Sequence, residues 1–357
     1  MKYDFCVGNP PYQEETAIKE TTNGQKRRKS IFQYFQYAAD AITKQCSVLI
    51  YPAARWIHRS GKGMQDFGME QINSPHLSKL IVYPNATDVF TTTEIGDGIS
   101  IVVKKNQKET NEFNYIYKSK ESDVEVVLES PGTDLIPLDP RDLGVIAKVK
   151  NFVKKHKITY LHDSILSQKL FGIESDFVEK NPNKVTCCEK DTVINSQDKV
   201  KILTNDKAGS AGRAKWFIVD RKDIPQRQEY IDEYQVAVSS ANAAGKKRDN
   251  QIEIIDNHSA FGRARVGLKS FKTLNEAKNF FKYANTYLVR FMFLISGDAL
   301  TSLAVLVPDF MDYTSKNKFL SFDEDLDEQL FKLFGLNKQE QEYVKEVIDN
   351  LRKKQGR

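Results

Sequence analysis

Cysteine is scarce in this chain, four in 357 residues. Cys6, Cys46, Cys187 and Cys188 show neither the spacing of a disulfide framework nor that of a CxxC metal site. Adjacent Cys187 and Cys188 cannot easily bridge each other, so the pattern suits a reducing cytoplasm. The five histidines never fall at HxxxH spacing, and no metal is expected of them. No apolar run approaches the roughly 20 residues that span a bilayer. The start, MKYDFCVGNPPYQ, lacks the basic, apolar and small-residue zones of a signal peptide. Internal repeats are absent. So is the acidic cluster with a lysine that a restriction nuclease needs, since segments such as DVEVVLES have no lysine at the usual place.

What is present is ordinary globular composition, 40% hydrophobic and 28% charged. The net charge of +5 is mild, but its distribution is uneven. Residues 201–300 carry a net +6 and residues 321–350 a net −6. A basic middle facing phosphate and an acidic end facing water account for this, as does a solvated surface of uneven charge.

Strand and helix patterns alternate over the first hundred residues. Tyr3–Gly8 reads as a buried strand ending at a Gly-Asn-Pro-Pro break. Ser30 is a candidate N-cap for a helix with Ile31, Phe35, Ala38 and Ile42 on one face. Ser47–Tyr51 reads as a buried strand, 64–74 as a short helix, and Leu80–Tyr83 and Gly98–Lys104 as further strands. This order predicts an α/β unit with a largely parallel sheet. Beyond about residue 107, FNYIYKSKESDVEVVLES reads as one or two exposed strands and 131–140 as a linker. A basic helix is expected at 144–156 and irregular strands and loops over 157–270. A long helix is expected over Leu274–Ser296, and a charged amphipathic one from about Lys338 to Lys354.

The sharpest signal is Asn9-Pro10-Pro11-Tyr12 at the end of the first strand. The exocyclic amine of adenine is a poor nucleophile because its lone pair is delocalised into the ring. The Asn9 carboxamide oxygen and the Pro10 carbonyl can both accept its N–H groups, drawing the nitrogen toward tetrahedral geometry so that it can attack a methyl sulfonium. Two prolines stiffen the loop and pre-aim that carbonyl. Tyr12 can stack on a base turned out of the duplex. The plainer alternative is a rigid Pro-Pro turn with Tyr12 covering the core.

On these residues KYDFCVGNPPYQ resembles the NPPY segment of γ-class DNA adenine-N6 methyltransferases of the type IIG restriction-modification group. IFQYFQYAADAI, SVLIYPAARW and GDGISIVV follow that family's order, and EAKNFFKYANTYLVRFMFL, VLVPDF and DEDLDEQLFKLFGLNKQEQEYVKEVI resemble its target-recognition region. The resemblance implies a partial Rossmann-like sheet followed by a mixed α+β target-recognition domain. Its parts would be a catalytic segment at 1–107, a connecting segment at 108–145 and a recognition domain at 146–357. It gives Asn9, Pro10 and Tyr12 the roles of amine acceptors and base stacker, with Pro11 stiffening the loop. Trp56, in the turn PAARW, would either wall the target pocket or pack; Phe90 would either touch the flipped base or fill the core.

The family's cofactor, S-adenosylmethionine, needs a strand and Gly-rich turn before NPPY, yet only eight residues precede Asn9. GKG (61–63), GDG (96–98), LISGDAL and LFGLNK all lack the required setting. The cofactor-binding half is therefore expected on a missing or partner domain. Double-stranded DNA is the expected partner, with Lys207, Arg213, Lys215, Lys246, Lys247, Arg248, Arg263 and Arg265 as candidate contacts. The run Lys26 to Lys29 could grip phosphate near the flipped base. The alternative to an enzyme part is a non-catalytic, sequence-specific DNA-binding subunit or degenerate remnant that keeps NPPY as a fossil. A third possibility is an interaction protein pairing through an open sheet edge. Either split reading expects exposed apolar surface on residues 1–105.

Overall fold

Apolar residues at every second position of Tyr3–Gly8 make a strand, β1, and the double proline after it forces the chain out of the sheet. In the computed structural model, which describes residues 2–15, 28–60, 63–120, 123–209, 212–240, 252–296, 300 and 302–353, the chain forms two units, Met1–Leu143 and Gly144–Arg357.

The first unit continues with a small ribbon, β2 (Gln13–Glu15) and β3 (Arg28–Ser30), then α1 (Phe32–Ile42), β4 (Thr43–Pro52), α2 (Ala54–Ile57) and α3 (Met64–Ile72). β5 (Leu77–Tyr83), β6 (Ile99–Lys105), β7 (Glu112–Lys118) and β8 (Asp123–Glu129) complete it. Six strands form one sheet in the order β1-β4-β6-β5-β7-β8. β1 runs parallel to β4 and β5 to β7, but β6 is antiparallel to both its neighbours and β8 to β7. The sheet is thus mixed rather than largely parallel. The links β5–β6 and β7–β8 contain no α-helix to carry the chain back to the start of the sheet, so these strands return antiparallel. Residues 112–129, within the expected connecting segment, are the last two strands of this sheet.

One face of the sheet packs against the helices. Leu49, Tyr51, Leu80, Val82 and Val102 meet Phe32, Trp56 and Phe67 there. Tyr51 stacks on Phe32 with centroids 4.8 Å apart. Beneath this contact the Tyr51 hydroxyl donates to Gln36 (3.1 Å), Gln36 donates to Asp40 (2.8 Å), and Asp40 pairs with the buried Lys104 (2.7 Å). Every polar group in that chain is paired, as burial demands. The opposite face is less covered. Val7, Val48 and Val103 lie in register there, as do Ile50, Ile101 and Ile81. Val7 is exposed and the other five are half-buried.

Helix α1 turns a different face inward from the one its apolar periodicity suggests. Phe32, Gln33, Gln36 and Ala39 are buried, whereas Phe35 and Ala38 are exposed. The buried polar chain through Gln36 decides this, because a carboxamide can be sunk only where Tyr51 and Asp40 meet it. Ser30 stands one residue before the N-cap, Ile31, and its hydroxyl and carbonyl bond the Gln33 side chain (3.2 and 3.0 Å).

The second unit opens with α4 (Asp142–His156), whose first two residues fall at the unit boundary, and β9 (Thr159–Tyr160). After α5 (Phe177–Lys180) come β10 (Thr186–Cys188), β11 (Lys199–Asn205), β12 (Ala214–Asp220), β13 (Tyr234–Ser239), β14 (Ile252–Ile255), β15 (Ser259–Phe261) and β16 (Arg265–Phe271). They form a sheet β10-β12-β11-β15 and another β14-β13-β16. Then follow α6 (Leu274–Ala284), α7 (Tyr287–Ile295), β17 (Pro308–Asp309), α8 (Leu326–Leu333) and α9 (Lys338–Lys353). The single helix expected over Leu274–Ser296 is two. Asn285 ends the first, and the Thr286 hydroxyl accepts from the Val289 N–H to cap the second. A large core joins α4, α6 to α9 and the three-stranded sheet, and a smaller one lies around Phe171, Ile202, Phe217 and Phe261.

Candidate active site and nucleic-acid interface

The loop Asn9–Tyr12 leaves the C-terminal end of β1, which among the described residues is an edge strand paired only with β4. Asn9 and Pro11 are exposed, Pro10 is buried and Tyr12 is half-buried. The loop is tied down on its far side. The Tyr12 carbonyl accepts from the Ile31 N–H (3.1 Å), and Gln13 to Glu15 pair antiparallel with Ser30 to Arg28. Asn9 is thus an exposed carboxamide on a loop fixed at both ends. Tyr12 leans on the core of the first unit. Its hydroxyl is buried without a hydrogen-bond partner among the described residues, and burial pushes the phenol pKa up. Lys29 lies over the Tyr34 ring at 5.2 Å, whereas Lys26 and Arg27 fall outside the described residues.

Beside this loop the molecule shows apolar surface. Tyr3, Phe5 and Val7 of β1 are 52, 65 and 78% exposed, and Tyr34, Phe35 and Tyr37 of α1 are also exposed. Solvent-facing apolar residues on neighbouring elements form a contact-competent surface. The strand expected to be buried is therefore open on its outer edge and on one face. The alternation Tyr3, Phe5, Val7 carried that signal in the sequence.

Trp56 is wholly buried. Its indole N–H donates to Ser100 (3.1 Å), whose hydroxyl donates to the Tyr51 carbonyl (2.9 Å). Trp56 lies in the core of the first unit. Phe90 is half-buried, its N–H donating to the Ala86 carbonyl at 2.8 Å.

Among the described residues the glycines do not supply a cofactor cradle. A Cβ at Gly98 (φ +65°) would come within 2.5 Å of the Tyr83 carbonyl, so this glycine serves a tight backbone crossing. Gly335 (φ +69°) follows the last turn of α8 as a helix stop. Gly63 precedes α3, and residues 61–62 and 297 are outside the described residues. None of the described ones joins the C-terminal end of a parallel strand to a helix. The described residues thus do not fit the adenosyl cofactor.

Five of the basic candidates gather at one end of β11. Lys207, Arg213 and Lys215 sit on or beside the turn from β11 to β12. Gly262 donates to the Leu203 carbonyl (2.8 Å), which brings Arg263 and Arg265 to the same end. Three of these cations are already paired: Lys215 with Asp206 (2.8 Å), Arg263 with Glu174 (3.1 Å) and Arg265 with Glu253 (2.9 Å). The Lys215 hydrogen bond, followed by that from the Arg213 N–H, holds the Asp206 carboxyl at about 2. Lys246, Lys247 and Arg248 lie outside the described residues. The stretch leading to them begins beside Ala264, whose carbonyl accepts from the Ser240 N–H (2.9 Å).

In the second unit Asp309, from the VLVPDF segment, is fully buried. It accepts from Lys269 (2.5 Å), Ser164 (2.8 Å), Tyr313 (3.0 Å) and the Met311 N–H (3.0 Å). Burial pushes its carboxyl up, but the Lys269 ammonium and these hydrogen bonds outweigh burial and hold it below the usual range. Among the described residues no helix is long and apolar enough to cross a membrane.

Known proteins were compared with this chain. No curated protein matches it in sequence. Among solved structures, the type I restriction-modification methyltransferase subunit from Streptococcus thermophilus aligns at 15% identity and TM-score 0.25, covering 34% of this chain and 29% of its own. The type IIG restriction endonuclease BpuSI aligns at 9% and 0.35, covering 90% and 49%. The type IIL restriction-modification enzyme MmeI, in complex with DNA, aligns at 8% and 0.37, covering 97% and 54%. The chain thus spans from under a third to about half of these proteins. Residues 1–90, which hold the Asn9–Tyr12 loop and the open strand, match the family model of the Eco57I restriction-modification methylase.

Proposed function

We propose that this chain is the catalytic-loop and target-recognition part of a site-specific DNA adenine-N6 methyltransferase of restriction-modification type. In this reading a half outside this chain, on the same polypeptide or another, binds S-adenosylmethionine. The observation that carries it is the placement of Asn9-Pro10-Pro11-Tyr12 at the C-terminal end of an edge strand with an open outer side. In doubly wound sheets ligands lie outside the carboxyl ends of the strands, where the strand order reverses. A second half-sheet adding to the free edge of β1 would put such a reversal beside Asn9. It would also cover Tyr3, Phe5 and Val7, as a parallel sheet buried on both faces requires. The match of residues 1–90 to a restriction-modification methylase model supports the same assignment.

Within this chain the Asn9 carboxamide oxygen and the Pro10 carbonyl accept the two N–H bonds of the target amine. The double proline keeps that pair of acceptors from relaxing away. Tyr12 stacks on the extruded base only after leaving the core against which it rests. Residues 1–107 carry this chemistry, the strands within 112–129 complete their sheet, and 146–357 read the DNA. Phe90 lines the base pocket.

The test is transfer of labelled methyl from S-adenosylmethionine to duplex DNA, beside an Asn9→Ala control. No transfer is expected from this chain alone. Asn9-dependent transfer is expected once a Gly-rich half is supplied. Asn9-dependent transfer by the isolated chain would overturn the divided site. Duplex binding with no transfer, even beside a functional cofactor half, would instead make the chain a non-catalytic specificity protein.

A further inference from the structure

A cleft of about 440 Å³ opens in the second unit between α6 and the segment Ser315–Asp323. One wall is a helix face, on which Asn275, Lys278 and Lys282 recur at steps of three and four residues. The other wall contributes Lys318 with the hydroxyls of Ser315 and Ser321. Small-molecule pockets are lined mainly by apolar side chains, whereas this lining is mostly ammonium, amide and hydroxyl groups.

Both walls are fixed. Asn279, buried on α6, donates to the Tyr313 carbonyl (2.8 Å), and Lys282 donates to the Phe322 carbonyl (2.9 Å). Gln329 of α8 clasps Ser321 through both its N–H and its carbonyl (2.8 and 2.9 Å). Leu320 and Phe322 anchor the segment in the core. Three lysines share the cleft with one carboxylate, Asp323, so it keeps a positive excess. Neither Lys278 nor Lys318 has an acidic side chain within salt-bridge distance among the described residues, in contrast to Lys215, Arg263 and Arg265. Lysines, hydroxyls and amides on a rigid groove are the groups that hold nucleic-acid phosphates.

We infer that this cleft is a backbone-phosphate site for duplex DNA, separate from the basic end of β11. The inference rests on the DNA reading above. Its ligand is the phosphodiester, so it fixes the position of the duplex without reading bases.

The test is fluorescence-anisotropy titration of the full chain with a labelled duplex of mixed sequence at several salt concentrations. Wild type is compared with the Lys278→Gln, Lys318→Gln double variant. Two lost phosphate contacts lower the slope of log affinity against log salt by about 1.8. Weakening is expected to be equal for all sequences, with the circular dichroism spectrum unchanged. Wild-type binding with the same affinity and slope in the double variant would overturn the cleft and leave the DNA reading intact. Absence of any duplex binding by the wild type would overturn both. A rise in melting temperature with inorganic phosphate that the double variant loses, without any change in its DNA binding, would assign the cleft to a free anion and overturn the DNA assignment.

Discussion

Single residues separate into those whose exposure suits chemistry and those that hold the frame. Asn9 is exposed and Trp56 is not, so the two should respond oppositely. Asn9→Ala should leave the denaturation midpoint within the change from about 0.5 kcal/mol expected of surface substitutions. Trp56→Ala should cost about 3–5 kcal/mol, because it removes a large buried ring together with the hydrogen bond its indole donates to Ser100. Urea melts of both variants check this; equal effects would remove the distinction. Asp309 allows a pH prediction. Its carboxyl lies below its unfolded value, so the stabilisation is complete above the ordinary carboxylate range of about 4 and is lost as pH falls through the folded value. Lys269→Met leaves a buried carboxylate unpaired and should cost about 3–5 kcal/mol at neutral pH. That deficit should narrow in acid, where protonation removes the charge. A deficit independent of pH would show that Lys269 contributes packing alone.

Among elements, β1 and α1 show how far a sequence speaks for itself. The Asn9–Tyr12 loop was legible because chemistry and strand context coincide within a few residues. Helix limits such as α4 and α9 followed from periodicity. The inward face of α1 did not, since an apolar stripe indicates burial without saying by what. Here Gln36 is sunk instead and Phe35 is left outside. The basic candidates behaved similarly: composition shows a cation, but only folding shows that Glu174 or Glu253 has neutralised it. Because Val7 is 78% exposed, Val7→Asp should leave the stability of this chain nearly unchanged. It should, however, abolish association with the cofactor-binding half, measured by co-purification or analytical ultracentrifugation. Undiminished association would move that interface away from β1.

For the whole molecule, the three hydrophobic clusters respect the division at Leu143. One is built within the first unit and two within the second. A piece with its own core can fold alone. A fragment of residues 144–357 is therefore expected to unfold cooperatively and to keep the duplex affinity of the full chain, whereas residues 1–143 should lose it. Non-cooperative melting of 144–357 would show that the second unit depends on the first. The uneven charge visible in the sequence, basic over 201–300 and acidic over 321–350, lies wholly within the second unit, and it did not reveal the cleft beside α6, whose walls are brought together by residues some forty positions apart.

The open edge of β1 also bears on solubility. An uncapped strand with apolar neighbours can add to any strand it meets, including that of another copy. What protects such a chain is coverage of that edge, whether by another part of the same polypeptide or by another chain. Left uncovered, the edge of one copy could pair with that of the next, so solubility would fall as concentration rises.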